Sequence, residues 1–179
     1  MTSSNCPIPN NINPLSPTGF RLSITKLPDL TYFCQEANLP EVELASIAMP
    51  TPFSTIGVPG EMIRFGDLTV QFLVDETLAN YLGIFNWMMG LGFPENYQQY
   101  QNLIASDPRN INPKFGGMVQ DYSDGTLEIL GSNNTNSQTI LFRDLHPTAL
   151  SSLPFTSNAT DINYLIGSAT FRYTYFDFT

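Results

Sequence analysis

Hydrophobic and polar positions alternate most strictly from Leu68 to Val74. Leu68, Val70, Phe72 and Val74 fall on one side of an extended chain, and Thr69, Gln71 and Leu73 on the other, the period-two pattern of a half-buried strand. At Asp75 the period changes. Leu78, Leu82, Phe85 and Met89 recur at helical spacing, with Tyr81 and Met88 widening the stripe, which predicts an amphipathic helix with that stripe in the core. Asp75 is the expected N-cap, Glu76 adds negative charge at the positive end of the helix dipole, and Gly90 and Gly92 supply the stop. Capping accounts for the adjacent carboxylates Asp75 and Glu76 better than an acid–base pair does, because sequence neighbours point apart.

The remaining pattern is mainly β. Phe20, Leu22 and Ile24 alternate with Arg21, Ser23 and Thr25; a Pro28-Asp29 turn then leads into Leu30 to Ala37, and the two segments read as a hairpin. Val42 to Met49, bounded by Pro50 and Pro52, predicts an edge or inter-subunit strand. From Thr51 to Glu61, Pro52, Gly57, Pro59 and Gly60 surround Phe53, Ile56 and Val58, an exposed hairpin or loop whose apolar residues need a partner to cover them. Thr126 to Leu130 and Gln138 to Leu145 form a second hairpin about a polar turn, which His146-Pro147 is expected to break. Ala169 to Phe178, with Phe171, Tyr173 and Tyr175 facing one way, reads as one long aromatic strand.

Residues 1–18, rich in Ser, Asn and Pro, read as an extended N-terminal arm on a single β domain over 19–179. An irregular insertion at about 91–124 is expected to hold a short helix around Tyr97 to Ala105. With about eight strands to one sure helix, the expected fold class is mainly β, an antiparallel β-sandwich or barrel with one packed α-helix.

Composition narrows the function. Charged residues make up 13% of the 179, against ~25% for a typical soluble domain, so much of the surface is uncharged and suited to burial against copies of the same chain or other proteins. Seven Lys and Arg against sixteen Asp and Glu give a formal charge of -9, and the cations are scattered singly, which argues against tight nucleic-acid binding. The first nineteen residues lack a basic and then apolar leader, and no apolar run is long enough to span a bilayer, so neither export by its own signal nor membrane insertion is expected. Without an export signal, Cys6 and Cys34 read as free thiols and the sequons at Asn133 and Asn158 carry no weight.

Catalytic signatures are missing. His146, the single histidine, sits between a strand end and a proline, with no nucleophile motif to serve. No Cys/His set has zinc spacing and no phosphate-binding glycine loop or calcium loop occurs; Asp121, Asp124 and Glu128 read as part of an Asp/Gly turn rather than a cation site. No catalytic, cofactor-binding or metal-binding residue is assigned. Tyr97, Tyr100 and Trp87 would be the stacking platforms of a carbohydrate-binding β-sandwich, the rival reading from another class, although Trp87 on a helical stripe reads as core.

The order of elements, from GFRLSI through the loop and strand IGVPGEMIRFGDLTVQFLVDE to a helix carrying Trp87, then LHPTAL and the closing ATFRYTYFDF, resembles the tail tube proteins of contractile-tailed bacteriophages. The turn Pro59-Gly60, the strand Leu68 to Val74, the pair Asp75-Glu76 and Trp87 carry the resemblance, over roughly residues 19 to 90 and 126 to 178. It implies a structural virion protein, a homohexameric ring stacked into the hollow inner tube of a phage tail, assembled in the host cytoplasm. The implied partners are other copies of itself, the tail sheath, baseplate, tape measure and tail terminator proteins, with genomic DNA passing through the lumen without specific binding. A baseplate protein that initiates the tube resembles the same fold and is the alternative.

Overall fold

The structure is a computed structural model that describes residues 12–106, 121–158 and 164–179. Cys6, most of the expected arm and the expected turn-rich part of the insertion lie outside the described residues. The elements in chain order are β1 (Phe20–Ile24), α1 (Pro28–Phe33), β2 (Cys34–Ala37), β3 (Val42–Pro50), β4 (Thr55–Phe65), β5 (Leu68–Leu73), α2 (Ala79–Gly92), α3 (Gln98–Ser106), β6 (Ser123–Leu130), β7 (Asn136–Leu150), β8 (Ile166–Arg172) and β9 (Tyr175–Phe178). Seven strands form one antiparallel sheet in the order β1-β6-β7-β8-β5-β2, with β9 also paired to β7. β3 and β4 pair only with each other.

The strict alternation over β5 is realised in full: Leu68, Val70 and Phe72 are fully buried. They join Leu22 and Ile24 of β1, Ile140 and Phe142 of β7 and Phe171 of β8 in one core.

β1 does not form a hairpin with the segment that follows. Pro28 stands at the start of α1, where its fixed φ and missing N–H suit a first helical turn, and Leu27 and Leu30 bury beside it. The short helix carries the chain from one end of the sheet to the other, so that β1 pairs with β6 and β2 with β5.

His146-Pro147 does not break its strand either. β7 runs fifteen residues, and its two halves serve different parts of the sheet: Asn136 to Phe142 and Leu145 pair with β6, whereas His146 to Leu150 pair with β8. Asp144 at φ 56° marks the corner, and a bulge between Pro147 and Ala149 accommodates the residue that has no N–H to donate. The closing aromatic segment turns the same corner and is therefore two strands: β8 ends at Arg172, the Thr174 N–H donates to the Arg143 carbonyl at 2.9 Å, and β9 crosses to the first half of β7. At this corner the rings of Phe65, Phe142, Tyr173 and Phe176 pack with centroids 5.1–6.1 Å apart.

Two expectations for the central helix are corrected. Its buried residues are Asn80, Ile84, Trp87 and Gly90, while Leu82 and Phe85 of the expected core stripe are 44% and 42% exposed. α2 is apolar nearly all round, so apolar spacing alone could not say which side faces inward. The side bearing the large indole wins: Trp87 packs on Phe171 at 6.4 Å and donates its Nε1–H to the Asp121 carbonyl at 3.1 Å. Asp75 is not the N-cap. It accepts a hydrogen bond from the Thr77 hydroxyl, Leu78 occupies the cap position in a left-handed conformation, and the link to the strand is made by buried Asn80. The Asn80 amide donates to the Leu73 carbonyl at 2.7 Å and its oxygen accepts from the N–H groups of Asp75 and Tyr81 at 3.2 and 2.8 Å. The helix runs through Gly90, where α3 packs so closely that an added Cβ would lie 2.7 Å from that of Leu103.

Candidate assembly surface

The β3–β4 ribbon stands apart from the sheet. At its base the Gly66 N–H donates to the Glu41 carbonyl at 2.9 Å. A bulge between Leu44 and Ser46 divides it, and there Gly60 comes so near Ala45 that a Cβ would sit 2.6 Å from the Ala45 carbonyl oxygen, a closeness only glycine permits. Below the bulge the cross-strand pairs Val42–Phe65 and Leu44–Ile63 share one face; beyond it Ile47–Val58 and Met49–Ile56 do. The opposite face of the outer half carries only the small pairs Ser46–Pro59, Ala48–Gly57 and Pro50–Thr55. Val42, Leu44, Ile47, Met49, Ile56 and Ile63 are all exposed. The exposed apolar hairpin expected from the sequence is thus present and longer than expected, reaching back to Val42.

The tip is stiff. The Thr51 N–H donates to the Ser54 carbonyl at 2.9 Å, the Ser54 N–H donates back to Thr51 Oγ1 at 3.1 Å, and the Thr51 hydroxyl also donates to that carbonyl. Between them Phe53 is 99% exposed.

A second apolar feature lies on the body. α2, α3 and the start of α1 with the connection before it bound a groove of about 760 Å³ whose lining includes Leu27, Phe85, Trp87, Met89 and Leu103, with Asn86 and Asn102 contributing amides. Lys26 extends into the same region with Nζ 5.1 Å from the Trp87 ring centre.

Three ion pairs lie at the surface of the described residues. Arg21 pairs with Glu128 at 3.6 Å, Arg143 with Asp124 at 3.8 Å and Arg172 with Asp67 at 3.0 Å, all at partly exposed positions where such pairs contribute little. The Thr77 hydroxyl holds the Asp75 carboxyl below the ordinary carboxylate range. Burial pushes the Cys34 thiol up to about 11 and the Tyr173 hydroxyl up to about 12.

The residues weighed for chemistry in the sequence are dispersed. Asp124 and Glu128 face different arginines, and among the described residues no three His, Cys, Asp or Glu side chains could hold a metal. His146 stacks edge-on against Tyr122 at 5.4 Å. Trp87 is buried and offers no stacking platform; Tyr97 and Tyr100 pack on Phe93 and on each other at 5.6–6.1 Å. No helix among the described residues is long and apolar enough to cross a membrane.

No protein-family model matches the chain, and no curated protein matches it in sequence. Solved structures do match in fold. The cap that terminates the tube of the anti-feeding prophage matches with a TM-score of 0.59 at 13% identity over 100% of this chain and 99% of that one. A chain from the anti-feeding prophage baseplate gives 0.61 at 12% identity over 93% and 96%. A chain from the sheath–tube complex of the extracellular contractile injection system PVC, in its extended state, gives 0.56 at 14% identity over 94% and 93%. The chain therefore has the mainly antiparallel, tail-tube-like fold implied by the sequence resemblance.

Proposed function

We propose that the protein is a structural subunit that assembles with copies of itself into hexameric rings, stacked as the hollow inner tube of a contractile tail or injection particle. The observation that carries this reading is the β3–β4 ribbon. A two-stranded hairpin standing alone is marginal in water, and this one exposes Ile47, Met49, Ile56 and Val58 on one face; exposed apolar area of that kind marks a contact surface. A contact made between two different surfaces is heterologous, so it closes into rings or runs on as a stack.

The formal charge of -9, with Arg21, Arg143 and Arg172 each drawn to a carboxylate, supports passage of DNA without adhesion. In that assembly the sheath, baseplate, tape measure and terminator proteins are the partners. The match to cap and baseplate chains favours a second reading of the same class, a single ring that starts or ends the tube.

Negative-stain electron microscopy and light scattering of the purified chain test the proposal. Wild-type protein is expected to give rings or tubes, and Ile47→Ser/Val58→Ser to give folded subunits that no longer assemble. A wild type that stays a single copy at every concentration would refute self-assembly; the ratio of copies to sheath protein in a purified particle separates tube from end ring.

A further inference from the structure

We infer that the tip of the β3–β4 ribbon of one copy seats in the α1–α2–α3 groove of another, with the Phe53 ring as the inserted group. The inference rests on the assembly reading and names the receptor that reading leaves open.

The two features are complementary, the ring exposed and the groove open to solvent. Phe53 is 99% exposed, yet the turn that presents it is held by two backbone-anchored bonds between Thr51 and Ser54 and flanked by Pro50 and Pro52. Stiffness at an exposed ring gives a single copy nothing, but it lowers the entropy cost of inserting that ring into a partner. The groove, about 760 Å³, falls in the size range that takes a ring with its flanking residues.

Its chemistry matches on two counts. Leu27, Phe85 and Met89 give it apolar walls, and the Phe85 ring is 42% exposed on the side of α2 that the core does not cover. The amides of Asn86, Gln99 and Asn102 line it as well. Each carries two N–H donors, and the tip offers the carbonyls of Pro50 and Pro52, residues with no N–H of their own to leave unpaired. Tip and groove are different surfaces, so the contact is heterologous and propagates.

The test uses full-length chains carrying Cys6→Ser and Cys34→Ser. One chain adds Ser54→Cys beside the intact ring and a second adds Asn86→Cys on the groove; they are mixed under mild oxidation, run on a non-reducing gel and imaged in parallel. The expected result is a disulfide-linked pair of the two different chains, reduced on the order of 30-fold by Phe53→Asp, as for a ring lost from the centre of an interface. Phe85→Glu in the second chain is expected to act alike. Rings or tubes on the grid without the mixed disulfide would overturn the tip-in-groove contact and leave self-assembly standing. Absence of both particles and disulfide would overturn the two together.

Discussion

Asn80→Ala is expected to be far more damaging than Asp75→Asn, the reverse of what the sequence pattern alone implies. Asn80 is 3% exposed and makes three bonds, to the Leu73 carbonyl and to the N–H groups of Asp75 and Tyr81. Truncation leaves all three groups at the strand–helix junction without that partner. A group left unsatisfied costs ~1–3 kcal/mol, and because this junction is only part-buried the lower end applies, about 3 kcal/mol in total. Asp75 is half-buried, but its carboxylate serves only the Thr77 hydroxyl and the adjoining N–H groups, so Asp75→Asn should leave stability nearly unchanged. Trp87, the single tryptophan and buried in the core, reports unfolding by its fluorescence in urea. With a slope of ~2–3 kcal/mol per molar urea for a domain of this size, Asn80→Ala should lower the midpoint by about 1 M. Equal midpoint shifts for the two variants, or a larger one for Asp75→Asn, would refute the assignment of Asn80 as the residue that locks helix to strand.

Alkaline pH is expected to destabilise the fold in two steps. The Cys34 thiol rises from 9.0 to about 11 and the Tyr173 hydroxyl from 10.0 to about 12 on folding. Above pH 9 the unfolded chain therefore binds fewer protons than the folded one, and stability falls as pH rises. Urea midpoints between pH 8 and pH 12 should decline in the wild type, and Cys34→Ala should remove the part that begins near pH 9. Among the glycines, Gly167→Ala places a Cβ 2.8 Å from Cζ of the fully buried Phe72 ring and should cost ~1–3 kcal/mol by overpacking. Gly92→Ala meets nothing within 4 Å in a helical turn and should be neutral or stabilising by up to ~1 kcal/mol; thermal melts of both variants check the contrast.

The strands were legible where one face is buried and the other wet. Leu68 to Leu73 and Phe20 to Ile24 alternate because each lies on the sheet with its odd and even side chains in different media. The corners were not legible. His146-Pro147 carries a breaker signal, yet the strand continues because a bulge absorbs the missing N–H. The Arg172–Tyr175 junction keeps its aromatic alternation while the chain moves from one strand partner to another. Local composition records what a residue tolerates; the partner strand, far off in sequence, decides whether the ladder goes on. The Pro28 helix was missed because six residues are too few to show a helical period.

The misjudged face of α2 has a different origin. Leu82, Phe85 and Met89 form a regular apolar stripe, and reading it as core was sound for a chain whose apolar residues are all covered by itself. This chain does not meet that condition: Ile47, Met49, Phe53 and Ile56 on the ribbon are exposed as well, and on each side of its bulge the ribbon alternates as β5 does. An apolar period in a sequence records burial in the state where the protein works. A second copy that covers both the ribbon and the outer side of α2 makes the two patterns consistent with the rule that predicted β5 correctly. In the proposed assembly the sequence pattern describes the particle, and the single subunit is the incomplete object.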